Sequence, residues 1–212
     1  MIVLAESNFV LELALRQDQF EHAEMILNLA EERHLRLVVP ACSLIEPYQT
    51  LVRRRRERKE FSRRLQDEMK LLERSTLHDG MNATSQHIAQ TLDTGNEIER
   101  ESLEQTIDRL TNVCTVPALS LETVRLAQAM QLGYGLEPQD AIVLASIDTA
   151  LSGLEAGPKV FVNRNSKDFA TPLIAGQLAK HECRLITSFS SACQYIESEL
   201  SKLATQNKPS GE

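Results

Sequence analysis

Ile2 to Ala5 is a short apolar run, followed by Glu-Ser-Asn and then by apolar residues at helical spacing. It reads as a buried strand leading into a helix. Phe20, Ala23, Ile26, Leu27 and Ala30 recur every three or four residues and predict a second helix. Leu35 to Val39, closed by Pro40, reads as a second buried strand. The alternation returns near the far end. Lys159 to Val162 and Arg184 to Thr187 are strand candidates, with a helix through Leu173, Gln177 and Lys180 between them. A closing helix puts Phe189, Cys193, Ile196, Leu200 and Leu203 on one face. Short apolar strands alternating with helices predict an α/β fold with a central parallel sheet covered on both sides.

The middle of the chain has a different period. Leu44, Tyr48, Leu51 and Val52, then Phe61, Leu65, Met69 and Leu72, predict one long helix over about 43–74. No apolar residue falls between Val52 and Phe61, so those two turns are expected to face solvent. A turn around Asp79-Gly80 precedes a second long helix with Leu103, Ile107, Leu110 and Cys114 on one face. The expected organisation is a single domain over 1–204, carrying a helical-hairpin insertion at about 53–115. A disordered tail is expected over 205–212.

Composition narrows the class. The 212 residues are 42% apolar and 25% charged, enough for a sizeable core and unlike a disordered chain. No run approaches the ~18–20 apolar residues of a membrane span, and Glu6 and Glu12 interrupt the N-terminal run, so no signal peptide is read. Cys42, Cys114, Cys183 and Cys193 lack metal-ligand spacing and suit reduced thiols. The expectation is a soluble cytoplasmic protein without a membrane partner. A net charge of -7 argues against generic attraction to nucleic acid, yet residues 53–70 hold nine basic side chains against four acids. Residues 93–109 hold six acids against two arginines. Arg53, Arg54, Arg55 and Arg56 are candidate phosphate contacts, because arginine's planar fork suits phosphate oxygens. The same block also reads as a solvated helix face, or as pairing with the acidic stretch. With only Tyr48 and Phe61 nearby, base stacking is not expected from this region.

The chemistry rests on four acids. Ligands of open parallel sheets bind beyond the carboxyl ends of the strands. Glu6 directly follows the first strand, with Asn8 two residues on; Asn163, Ser166 and Asp168 follow the strand ending at Val162. Glu46 lies early in the helix after the second strand, and Pro138 places Asp140 in the first turn of another helix. Four carboxylates converging at one sheet edge repel one another unless a cation neutralises them. Mg2+ or Mn2+, hard ions that take oxygen ligands, fit best. Each acid also has a structural reading. Ser43-Leu-Ile-Glu46 matches a capping box, Asp140 suits a helix N-terminus, Asp168 suits a turn and Asn8 a helix cap. The five histidines, His22, His34, His78, His87 and His181, show no ligand spacing and read as surface residues.

The segments LAESNFVLEL, VVPACSLIE, LEPQDAIVLASI and VFVNRNSKDF together resemble the PIN-domain nucleases. The resemblance covers roughly residues 1–50 and 117–195. It implies a three-layer α/β/α sandwich and a metal-dependent endoribonuclease cutting single-stranded RNA. The family's leading acid, hydroxyl and asparagine fall on Glu6, Ser7 and Asn8, and its further acids on Glu46, Asp140 and Asp168. These four acids would hold Mg2+ or Mn2+ as catalytic ligands, with Asn8, Asn163 and Ser166 orienting them. By family analogy, the chain would be the toxin of a toxin–antitoxin pair, with an antitoxin-like protein partner, or would form a homodimer. Glu6 is one methylene longer than the Asp usual in the family, and Asn165 stands where many members carry another acid. Those departures support an alternative: a catalytically weakened binding module acting on nucleic acid or protein through the charged hairpin.

Overall fold

The computed structural model describes residues 1–72, 74 and 81–206. Its sheet has four strands, all parallel: β1 (Ile2–Ala5), β2 (Arg36–Val38), β3 (Lys159–Val162) and β4 (Cys183–Ile186). Their order is β2-β1-β3-β4. The chain therefore steps outward from β1 to β2, then crosses back to build β3 and β4 on the other side. The switch point, where an open sheet offers a crevice, lies between β1 and β3.

Buried strands of a parallel sheet are apolar on both faces, and here alternate residues enter two separate clusters. Val3, Ala5, Val160 and Val162 join one with α1 (Ser7–Leu15), α2 (Phe20–Glu31) and α9 (Phe189–Gln206). Leu4 and Phe161 join the other with α5 (Leu121–Tyr134), α6 (Pro138–Ser152) and α8 (Pro172–Ala179). Local chemistry sets the helix ends. The Ser120 side chain accepts from the Thr123 N–H to start α5, and Gly135 closes that helix in the left-handed region at φ 67°. Thr171 accepts from the Ile174 N–H ahead of Pro172 to start α8. A short helix, α7 (Ser166–Phe169), follows β3. The alternation of strands and helices thus matches its expectation, with β2 one residue shorter at each end and β4 shifted back by one residue. The sequence reading passed over α5, whose exposed Leu121, Val124 and Leu132 blur its apolar stripe.

The long helices are α3 (Ala41–Leu72) and α4 (Met81–Val113), which pack against each other. The turn expected at Asp79-Gly80 lies outside the described residues. So does most of the expected tail, while α9 continues to Gln206. The base of the hairpin belongs to the core. Leu103 and Leu110 are fully buried, the Ser102 hydroxyl donates to the Ala14 carbonyl at 2.6 Å, and Arg109 bridges Glu24 and Glu31 of α2.

The apolar gap between Val52 and Phe61 does not leave both turns wholly in solvent. Arg58 lies half-buried against α4, its guanidinium on both carboxylate oxygens of Glu99, at 2.9 and 2.7 Å, and on the Asn96 carbonyl oxygen at 2.8 Å. A polar seam replaces an apolar one there. Arg58→Met is expected to cost only about 1 kcal/mol in urea unfolding, since both side chains keep partial access to water. A loss above about 3 kcal/mol would mean the seam organises the hairpin.

Candidate functional site

Glu6 directly follows β1 and stands just before α1 in extended conformation, at φ -129° and ψ -170°. Its side chain thereby turns over the switch point. It is 5% exposed; Oε2 accepts the Ser7 hydroxyl at 2.6 Å, and Oε1 has no partner among the described residues. Burial disfavours the charged form and pushes the carboxyl from its ordinary 4.5 up to about 7. The Ser7 hydroxyl and the Asn8 amides pull the other way, and Glu46 adds repulsion.

Three acids from separate elements meet in one cavity of about 350 Å³. Glu6 comes from the end of β1, Glu46 from α3 and Asp140 from the first turn of α6; Ser7, Asn8, Val143, Arg164 and Asn165 complete the walls. The Asp140 carboxyl is raised by partial burial first, then by Asp168 and Glu46, while Asn165 opposes the rise. Asn165 Nδ2 donates weakly to Asp140 Oδ1 at 3.4 Å. Asp168, in α7, is close enough to repel Asp140 but does not line the cavity.

The remaining predicted residues take different places. Asn163 is buried, and its Oδ1 accepts the Asn165 N–H at 2.7 Å, so it shapes the loop that presents Arg164 and Asn165. Its Nδ2 has no partner among the described residues. Ser166 is exposed at the start of α7, outside the cavity. The capping box does not form: α3 begins at Ala41, so Ser43 sits inside the helix and its N–H is taken by the Pro40 carbonyl at 2.9 Å. Glu46 is thus free of that role. Pro47 lies within α3 rather than at its start.

Arg53, Arg55 and Arg56 are exposed and Arg54 is half-buried; Arg55 pairs with Glu97 at 3.4 Å. Among the described residues Arg53, Arg54 and Arg56 have no acidic partner. His181 is not simply a surface residue, since it is half-buried and its Nε2 lies 3.1 Å from Asp148 Oδ1. That pair, with Gln177, is a satisfied network apart from the cavity. All four cysteines are unpaired.

Sequence reasoning missed Arg164 and Glu12. Glu12 is fully buried on α1, where its carboxylate accepts from the Arg164 guanidinium and from the Gln19 backbone N–H. The available signal was an acid amid Phe9, Val10 and Leu13, on a face that must be buried. A charge there requires a partner.

The donor set fits a hard divalent cation: the acids supply carboxylate oxygens, and one buried oxygen of Glu6 lacks a partner. As placed, no three His, Cys, Asp or Glu side chains among the described residues stand close enough together to hold an ion. Glu46 repels both Glu6 and Asp140, which disfavours bringing the carboxylates closer without a cation. Among the described residues no helix is long and apolar enough to cross a membrane. No family model matches the chain, and no curated protein or solved structure was found similar to it.

Proposed function

We propose that the chain is a metal-dependent phosphodiester hydrolase of the PIN type, built as a three-layer α/β/α sandwich and acting on single-stranded RNA. The observation that carries this reading is the meeting of Glu6, Glu46 and Asp140 in one cavity at the switch point of a parallel sheet. Bound Mg2+ or Mn2+ would supply charge neutralisation at the phosphate and activation of water. Glu6, Glu46 and Asp140 hold the ion, with Asp168 completing their negative field. Asn8 and Asn165 orient the carboxylates, and Asn163 fixes the loop carrying Asn165. Arg164, held by buried Glu12, offers its remaining N–H groups to a phosphate oxygen.

The test is cleavage of a labelled single-stranded RNA in Mn2+, Mg2+ and EDTA, comparing the wild type with Asp140→Asn. Metal-dependent cutting that the substitution abolishes is the expected result. Cutting that survives the substitution, or proceeds in EDTA, defeats the reading.

A second reading is a binding module with weakened cleavage. It is favoured by Asn165, an amide rather than an acid beside Asp140, and by the spread of the carboxylates. Metal-independent RNA binding without cutting in either ion would select it.

A further inference from the structure

Tyr48, Gln49, Val52, Arg53 and Arg56 line one open hollow of about 430 Å³ on α3. All five lie on the same side of the helix, by the i, i+1, i+4, i+5, i+8 spacing from Tyr48. The Tyr48 ring is half-buried and packs on the core, so its orientation is held. Val52 is 60% exposed, an apolar surface left open beside it. Gln49 supplies a side-chain amide that can both donate and accept. Arg53 and Arg56 are exposed and have no acidic partner among the described residues. Glu57, one turn past Arg53, makes no ion pair among them, and Glu60 is engaged by Arg64.

We infer that this hollow is a subsite for one nucleotide of a single-stranded nucleic acid. Sparse aromatics argue against base stacking along this stretch, but the held Tyr48 ring beside exposed Val52 offers one such surface: the base lies against both, Gln49 bonds its edge, and Arg53 and Arg56 take the flanking phosphates. Duplex is excluded because a paired and stacked base cannot reach the tyrosine ring. The position relative to the candidate site supports the assignment. Gln49 is one turn along α3 from Glu46, and Arg53 is two turns, about 10 Å by the helix rise. A strand lying in the hollow is therefore a nucleotide or two from the cavity of Glu6, Glu46 and Asp140. The subsite's link to cleavage rests on the proposed nuclease reading, whereas its binding chemistry does not. The larger groove between α3 and α4, about 1030 Å³, is less selective. There Arg55, Arg56, Lys59 and Arg63 of α3 share the lining with Glu60 of the same helix and with Asp93 and Glu97 of α4, so opposite charges offset.

The test is binding in EDTA, where no metal-dependent step contributes. Fluorescence anisotropy of labelled single-stranded RNA, single-stranded DNA and duplex would be followed across a salt series. The wild type is expected to bind the single strands and prefer them to duplex; the RNA and DNA arms tell which sugar is favoured. Arg53→Ala/Arg56→Ala should lower the slope of log K against log salt by about 1.4, at about 0.7 for each phosphate left unneutralised. Tyr48→Leu keeps apolar bulk against the core and should weaken single-strand binding roughly fivefold or more with the slope unchanged. Arg125→Ala/Lys202→Ala removes the same charge elsewhere and should leave affinity and slope near wild type. Equal binding of duplex, no effect of Tyr48→Leu in a folded protein, or an equal slope change in both double variants would overturn the subsite. RNA cutting by the wild type together with any of those outcomes removes the subsite and leaves the nuclease reading standing. Binding that behaves as expected without cutting does the reverse.

Discussion

Arg164→Met is expected to destabilise the protein by about 3–5 kcal/mol, the range for stranding a buried charge whose partner has been removed. The cost falls on Glu12, which is fully buried and would retain the Gln19 backbone N–H as its one partner among the described residues. That junction reaches further than a single ion pair. Gln19 uses its own side-chain oxygen to accept the N–H groups of Phe189 and Ser190 at 2.7 and 3.2 Å, tying it to the start of α9. Glu12 thereby joins the loop after β3, the α1–α2 connection and the last helix. The double variant Glu12→Gln/Arg164→Met should be more stable than Arg164→Met alone, because no buried charge remains. Urea unfolding at pH 7 measures both. An Arg164→Met protein within about 0.5 kcal/mol of wild type would mean that Glu12 finds water or another partner.

Glu6 gives the second large effect, and its sign depends on pH. Below about pH 4.5 the folded and unfolded chains both carry the proton on this carboxyl. Between 4.5 and about 7 the unfolded chain ionises while the buried group keeps its proton. Stability therefore falls through that window and levels off above it, by about 3 kcal/mol in all at 1.36 kcal/mol for each pKa unit. The raised Asp140 carboxyl acts in the same direction. Glu6→Gln removes the ionisation, so in EDTA the variant should gain on the wild type as pH rises from 5 to 8. The gain is read as the difference between two urea unfolding series. A difference that is the same at both pH values would mean the carboxyl is solvated and titrates normally. Mn2+ at pH 8 should reverse the order by stabilising the wild type alone, since a ligand bound only by the folded state adds stability with occupancy.

The candidate site was legible in the sequence to the extent that strand ends and helix starts mark its residues. Glu6 directly follows β1 and Pro138 puts Asp140 in the first turn of α6, whereas the meeting of that turn with the sheet edge is a tertiary contact. Glu46 carried two readings until the start of α3 was known, because a helix beginning two residues earlier moves Ser43 from a cap to the interior. Asn163 and Ser166 looked equivalent in the loop after β3. One is buried holding a backbone N–H and the other is exposed, a difference set by how that loop folds back on itself.

The alternation of strands and helices, the parallel sheet and the two long helices are written in the local pattern of the chain. Those follow from apolar periodicity and from a few Pro and Gly positions, which act through neighbours along the chain. Tertiary structure alone decided the strand order, and so placed the crevice between β1 and β3. It also paired Glu12 with Arg164, 152 residues apart, and set Arg58 against α4. Contacts between distant segments depend on which helix face meets which strand, and periodicity names a face without naming its partner.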